Sequence, residues 1–364
     1  MRPEIATPGA EVAERWSSPA YLVFAATGTA AGLGALWLFP SLVRQYGGGA
    51  FVLAYLAAML LVGLPLLLAE LSLGRIGGAD PLRALAALHH HGPSSSWAGL
   101  PIALTGALAL SACGVFGGWA LDLAWTGLAG FAGQADRGTL PLGPLAGQAL
   151  FLAVTAAIVA SGMRRGVERA LRWIVPALFA LLLALVSFAM VTSGRFGQSI
   201  ALLGVADFAR LGASGLLAAL GLALLTVAAG CGVMPGLGAH ACRTTSLAHV
   251  AVVVIVMDVA VALLAALAIF PVVLAAGAGP GDGLDLLFVT LPSAFAGTAG
   301  GGPLAAAFFS CVVLAALATA MSLLVPVTHA LRGRLHWRRP AAAAVLAAGC
   351  WALGAGALLL GAWS

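Results

Sequence analysis

Apolar residues run along this chain in blocks as long as a bilayer is thick, separated by Gly, Pro and Arg. A membrane span needs about 20 mostly apolar residues. The blocks near 20–43, 50–73, 98–130, 145–162, 171–193, 213–239, 248–276, 304–331 and 341–361 meet that need. They show no period-two alternation, and an open strand edge cannot satisfy its backbone in hydrocarbon, so all are read as helices. The fold class is therefore an all-α polytopic membrane protein with about nine transmembrane helices. Segments 197–210 and 282–298 are too short or too interrupted to span and read as interfacial or re-entrant pieces on the outer face. Residues 1–18 hold Glu4, Glu11 and Glu14 among few apolar residues, opposite to a cleavable leader, and predict a cytoplasmic amino tail. Residues 19–364 form one transmembrane domain, with a first half over about 19–193 and a second over about 213–361.

Composition removes other classes. With 62% apolar and 8% charged residues and a mean hydropathy of +1.07, little chain is left for a soluble catalytic domain. The net charge of +5 comes from arginine in short loops, with no lysine, which signals membrane orientation rather than nucleic-acid binding. Arg44, Arg137, Arg195 and Arg210 fall on one side and the rest of the 17 arginines on the other. Basic loops stay cytoplasmic, so the amino terminus is placed inside and the carboxyl terminus outside the cell (plasma) membrane. Cys113, Cys231, Cys242, Cys311 and Cys350 lie in or beside apolar runs without CxxC spacing, against a disulfide framework or zinc site. No nucleophile–base motif, nucleotide loop or HExxH pattern appears, so no enzyme is expected. The tract His89-His90-His91 reads as solvated loop.

Two apolar blocks are interrupted inside. The first holds Gly28, Gly32 and Gly34 before Pro40; the sixth holds Gly230, Gly232, Pro235, Gly236 and Gly238. Glycine lowers the cost of leaving helical geometry and proline removes a donor, so both helices are expected to break mid-membrane. Close packing through small residues explains any single Gly pair. Two clusters at matching positions of two halves instead predict a polar chamber, where half-helix amino ends hold an anion and freed carbonyls a cation. Asp258 stands within a span, and an acid at that depth marks either a cation site or a protonated, structural carboxyl. Glu70 and Asp122 read as solvated or paired near a span end.

These residues carry a resemblance. Glu14-Arg15-Trp16-Ser17-Ser18, Gly32-Leu33-Gly34, Phe39-Pro40, Gly47-Gly48-Gly49-Ala50-Phe51 and the run Gly63 to Arg75 resemble the neurotransmitter:sodium symporters. Gly166 with Pro176 resembles that family's fifth-helix unwinding motif. Asp258 to Pro271 and Phe288 to Pro292 resemble its seventh helix and outer loop. The resemblance implies a leucine-transporter-like five-plus-five inverted repeat, here ending after the ninth helix, and sodium-dependent symport by alternating access. It places a substrate carboxylate on the N–H groups of Leu33 and Gly34, and an amino group near the carbonyls of Ala30, Leu225 and Thr226. Glycine at 32, where monoamine carriers have Asp, leaves room for an amino acid's own carboxylate. The substrate side chain would meet Ala109, Cys113, Leu225, Ala228, Cys231 and Leu323, a lining that suits a small apolar amino acid. The first sodium set would be Ala30 carbonyl, Thr226 hydroxyl and Asp258; the second Gly28, Ala31 and Ala315 carbonyls with Thr319 hydroxyl.

The chain also departs from that pattern. Ala35 and Ala318 replace sodium-ligating side chains, Cys113 replaces a tyrosine, Ala228 a serine and Leu225 an aromatic lid. Leu38 stands at the outer-gate arginine, whose tenth-helix partner is absent, and Ala13 and Gly333 stand at the inner-gate pair. Loss of both members of each pair reads as a divergent short carrier, since one buried charge left alone is destabilising. The expected function is sodium-dependent transport of a small amino acid, with a second copy of the chain as a further partner and no cofactor beyond the ion. The competing expectation is a transporter-derived receptor or inactive scaffold.

Overall fold

A computed structural model describes residues 15–32, 34–77, 99–131, 143–242, 244–277, 284–297, 300–335 and 337–360. The helices are α1 (Pro19–Ala30) and α2 (Gly34–Gln45), α3 (Gly49–Ile76), α4 (Gly99–Phe131), α5 (Gly143–Ala160), α6 (Met163–Thr192) and α7 (Phe196–Gly204). They continue as α8 (Phe208–Thr226), α9 (Val233–Ala239), α10 (Leu247–Ala275), α11 (Leu286–Ala296), α12 (Gly301–Leu335) and α13 (Arg339–Leu359). Among the described residues, eight helices are long and apolar enough to cross a membrane, or nine if the α1–α2 pair, bent by 49°, is one span. The all-α, nine-span expectation stands. The tract His89-His90-His91, Arg137 and Ala13 lie outside the described residues.

The boundaries move where sequence signals mislead. Helix α6 begins at Met163, two turns before the apolar block, because its opening turns carry Arg164, Arg165 and Arg169. Gly166 allows this start: a Cβ there would run into the Ile158 carbonyl of α5. A short turn of α8 begins at Phe208, capped by the Asp207 carboxylate accepting from Ala209 and Arg210 amides, and Gly212 (φ 53°) separates it by a kink from the span, which starts at residue 213 as the sequence predicts. The stretch read as one interfacial piece, 197–210, thus divides between α7 and the first turn of α8.

The Gly47–Gly49 turn clasps this region. Asp207 N–H donates to Gly47 O (3.1 Å) and Gly49 N–H to Val205 O (2.9 Å). Gly47 and Gly48 have φ of 83° and 61°, and a Cβ on either would meet a carbonyl of the α7–α8 segment. One end of the core is closed by α11, whose Leu286, Leu287 and Leu291 are wholly buried.

The short α9 is held by shape. A Cβ on Gly238 would strike the Leu71 carbonyl, one on Gly74 the Pro235 carbonyl, and one on Gly236 the Pro326 ring. Helix α9 thus lies directly on the backbone of α3 and on the Pro326 ring of α12, a close approach that small residues allow in membrane helices. Trp16 locks the same element, its indole N–H donating to Leu237 O (3.1 Å) and its amide to His240 O (3.1 Å). Trp16 therefore packs as an anchor for α9. His329 lies within α12 rather than at a helix end, its ring 4.8 Å from that of His240.

Candidate functional site

Among the described residues, α-helix stops at both glycine-rich interruptions. Helix α1 closes with Ala31 N–H on Thr27 O (2.7 Å), and helicity resumes at Gly34 in a π-helical turn. Helix α8 closes at Thr226 and α9 opens at Val233. Three left-handed residues between them, Ala228 (φ 52°), Gly230 (74°) and Gly232 (72°), turn the chain out of the helix. Ala228 is the only non-glycine with positive φ among the described residues, a conformation costing an L-residue about 1–2 kcal/mol. Such strain clusters at ligand sites.

The gaps sit beside each other. An added Cβ at Gly34 would touch Leu225 and Thr226 side chains at 3.6 Å, so α2 opens directly against the end of α8. A Cβ at Gly106 of α4 would lie 3.1 Å from the Cys231 carbonyl, so α4 runs past the α8–α9 gap. Ala109 and Cys113 follow one and two turns along α4; Cys113 is buried and Ala109 half-buried. Leu323 of α12 is buried, while Leu225 is 56% exposed, so it does not close over the space as a packed lid. Leu33 lies outside the described residues.

The second predicted sodium set converges closely. Thr319 Oγ1 of α12 lies 3.1 Å from Gly28 O and 3.0 Å from Ala315 O. One hydroxyl proton serves only one of those carbonyls at a time, leaving lone pairs that a cation satisfies. Gly32 borders the same cage, since a Cβ there would collide with Thr319 Oγ1 and lie 2.9 Å from Thr29 O. The Thr29 carbonyl is an oxygen the sequence did not single out. Where a hydroxyl is replaced, Ala318 packs against Gly28, whose added Cβ would meet it at 2.7 Å. The helices approach through that methyl instead.

The first predicted set is organised differently. Asp258 is fully buried in α10, and its Oδ2 accepts from the Tyr55 hydroxyl of α3 (2.6 Å). Oδ1 has no partner among the described residues. Thr226 Oγ1 donates to Ala223 O (3.1 Å), 3.7 Å from Met59 sulfur in the π-helical turn of α3. The Tyr55–Asp258 and Met59–Thr226 contacts, about one helical turn apart on α3, join it to α10 and α8. The only sequence signal of Tyr55 was a polar tip two residues after Leu53 in an apolar run.

Glu70 was read as solvated or paired near a span end. Its Oε1 accepts from Gly230 N–H (2.9 Å), holding the gap between α8 and α9, and Oε2 has no partner among the described residues. The sequence could not show this because the acceptor-hungry amide exists only once α8 breaks. On the opposite side of the gap, Ser17 donates through N and Oγ to the Glu168 carboxylate of α6 (2.8 and 2.5 Å), and Arg172 donates to the Tyr21 hydroxyl. No cluster of three or more His, Cys, Asp or Glu suited to a metal occurs among the described residues.

Known proteins share this pattern. The model of the sodium:neurotransmitter symporter family matches residues 13–87. The uncharacterized sodium-dependent transporter YhdH of Bacillus subtilis is 34% identical over 327 residues, 85% of this chain and 70% of its own. An uncharacterized sodium-dependent transporter of Haemophilus influenzae is 28% identical over 360 residues, 94% of this chain and 79% of its own. The crystal structure of MhsT in complex with L-phenylalanine superposes with a TM-score of 0.82 at 34% identity, covering 94% of this chain and 79% of that one. Two joined gaps, an oxygen cage on α12 and identity along most of the chain agree, and the chain belongs to the sodium:neurotransmitter symporter family of membrane transporters.

Proposed function

We propose that this chain is a sodium-coupled symporter of an apolar amino acid, working by alternating access. The observation that carries this is the Thr319 cage, where a partly buried hydroxyl and the Gly28 and Ala315 carbonyls meet on the freed end of α1. With the Ala31 carbonyl they form the second sodium site. The first comprises the Ala30 carbonyl, Thr226 hydroxyl and Asp258, whose Oδ1 is buried without a protein partner among the described residues. The substrate carboxylate lies on the Leu33 and Gly34 amides, where the start of α2 favours an anion. Its amino group faces the Ala30, Leu225 and Thr226 carbonyls. Ala109, Cys113, Ala228, Cys231 and Leu323 line the side-chain space with small or aliphatic groups, consistent with the phenylalanine-bound state of MhsT. Helices α1–α6 and α8–α13 act as the two repeats, and the arginine distribution places the amino terminus in the cytoplasm.

A receptor that binds without flux is the second reading, favoured by Ala35 and Ala318 at positions where the family has sodium ligands. Uptake into proteoliposomes across an amino-acid panel, with and without an inward sodium gradient, separates the two. Accumulation of phenylalanine- or leucine-like substrates only with the gradient is the expected result. Saturable binding with no gradient-driven accumulation overturns symport and leaves the receptor.

A further inference from the structure

The Thr319–Gly28 contact has a neighbour one helical turn along. Three residues on in α12, Ser322 Oγ donates to Ala25 O at 3.4 Å, and Ala25 is three residues before Gly28 in α1. Thr29 Oγ1 also donates to Ala25 O, at 2.9 Å. Ser322 is 1% exposed, Thr29 5% and Ala25 fully buried. Two hydroxyls and a carbonyl thus meet in a dry helix interface, one turn from the cage and toward the α1 amino end. A buried hydroxyl that makes only a long contact recovers little of the hydrogen bonding it gave up on leaving water. Apolar residues would close this seam at lower cost, so the oxygens call for another role. One further turn on, at Leu22 of α1 and Val325 of α12, the seam becomes apolar, each residue 1% exposed.

We propose that Ser322, Thr29 and the Ala25 carbonyl form a second, transient stop for the monovalent cation leaving the Thr319 cage, closed off by the Leu22–Val325 plug. The inference rests on the cage reading above. Both sites use the same chemistry, a hydroxyl of α12 meeting a carbonyl of α1, and the one-turn spacing is a short step for a partly dehydrated ion. The second site holds fewer fixed oxygens and weaker contacts, so it passes the ion on rather than retaining it. Movement of α1 away from α12 parts Leu22 from Val325 and completes release.

The test uses the full chain in lipid nanodiscs, with radiolabelled sodium bound at equilibrium and then chased by excess unlabelled sodium. In Ser322→Ala, equilibrium binding should stay within about twofold while dissociation slows about tenfold, the rate equivalent of one lost oxygen contact. Val325→Ser, which carries the polar track through the plug, should speed dissociation by about the same factor. Dissociation at the parent rate in either variant overturns the proposal. So does a Ser322→Ala protein whose equilibrium binding and melting temperature fall together, which identifies a packing staple. Thr319→Val separates the two readings. If it binds sodium as the parent does, or the parent binds none, the cage itself fails and the stop with it. If it loses binding while Ser322→Ala dissociates normally, the stop alone fails.

Discussion

At the scale of single residues, glycines 32 and 34 differ in consequence although the sequence presents them as one motif. A methyl at 32 collides with Thr319 Oγ1, whereas a methyl at 34 meets only ordinary contacts from 3.6 Å outward. Gly32→Ala should therefore weaken sodium binding about tenfold or more, equivalent to about 1.4 kcal/mol, while Gly34→Ala leaves it nearly unchanged. Isothermal sodium titration of the two variants checks this. Asp258 and Tyr55 form a buried pair, so removing one partner strands the other. Asp258→Ala leaves the Tyr55 hydroxyl without its acceptor and Tyr55→Phe leaves the buried carboxyl without its donor, so each should cost about 1–3 kcal/mol of stability. Thermal denaturation in detergent measures both, and an unchanged melting temperature in Tyr55→Phe would show that the hydroxyl contributes little. The residue types at 32, 34 and 258 were visible from the sequence. The partnership of Tyr55 with Asp258 was not, because 203 positions separate them and neither position shows a periodic signal.

At the scale of elements, α9 is the most constrained piece. Seven residues form a marginal helix alone. Its position comes from the close approach of Gly238 to Leu71 and of Gly74 to Pro235. Gly74→Ala inserts a methyl against backbone that cannot rotate away, and should destabilise by about 1–3 kcal/mol or abolish folding. An unchanged melting temperature would contradict the direct backbone contact. The gap before α9 behaves oppositely. Ala228→Gly relieves a left-handed alanine and should raise stability by up to about 1 kcal/mol, read as a higher melting temperature. If that strain also serves transport, uptake falls in the same variant.

At the scale of the whole molecule, the segment Trp16–Tyr21 joins units far apart in the chain. Trp16 is bonded to Leu237 and His240, Ser17 to Glu168 and Arg172 to Tyr21. This segment ties the units together with neutral and charge-assisted bonds. Trp16→Phe should lose the indole bond, about 1 kcal/mol, whereas Trp16→Ala should cost about 3–5 kcal/mol through the cavity as well. Cysteine accessibility near α9 distinguishes local release from global unfolding: Trp16→Ala should expose Cys242, whose thiol contacts the Trp16 carbonyl, before the core melts.

The class of fold and the succession of apolar spans were determined by sequence alone, because lipid forces long apolar helices. The residue types of the sodium cage were also legible, through family resemblance at Gly28, Ala31, Ala315 and Thr319. Only the tertiary structure decided which oxygens meet. Glu70 turns from an apparently solvated acid into the acceptor for Gly230, and Ser322 gains a role, because each partner is a backbone group on another helix. Every residue carries a carbonyl and nearly all an amide, so their pairing across helices leaves no mark in the sequence. It exists once packing brings the helices together.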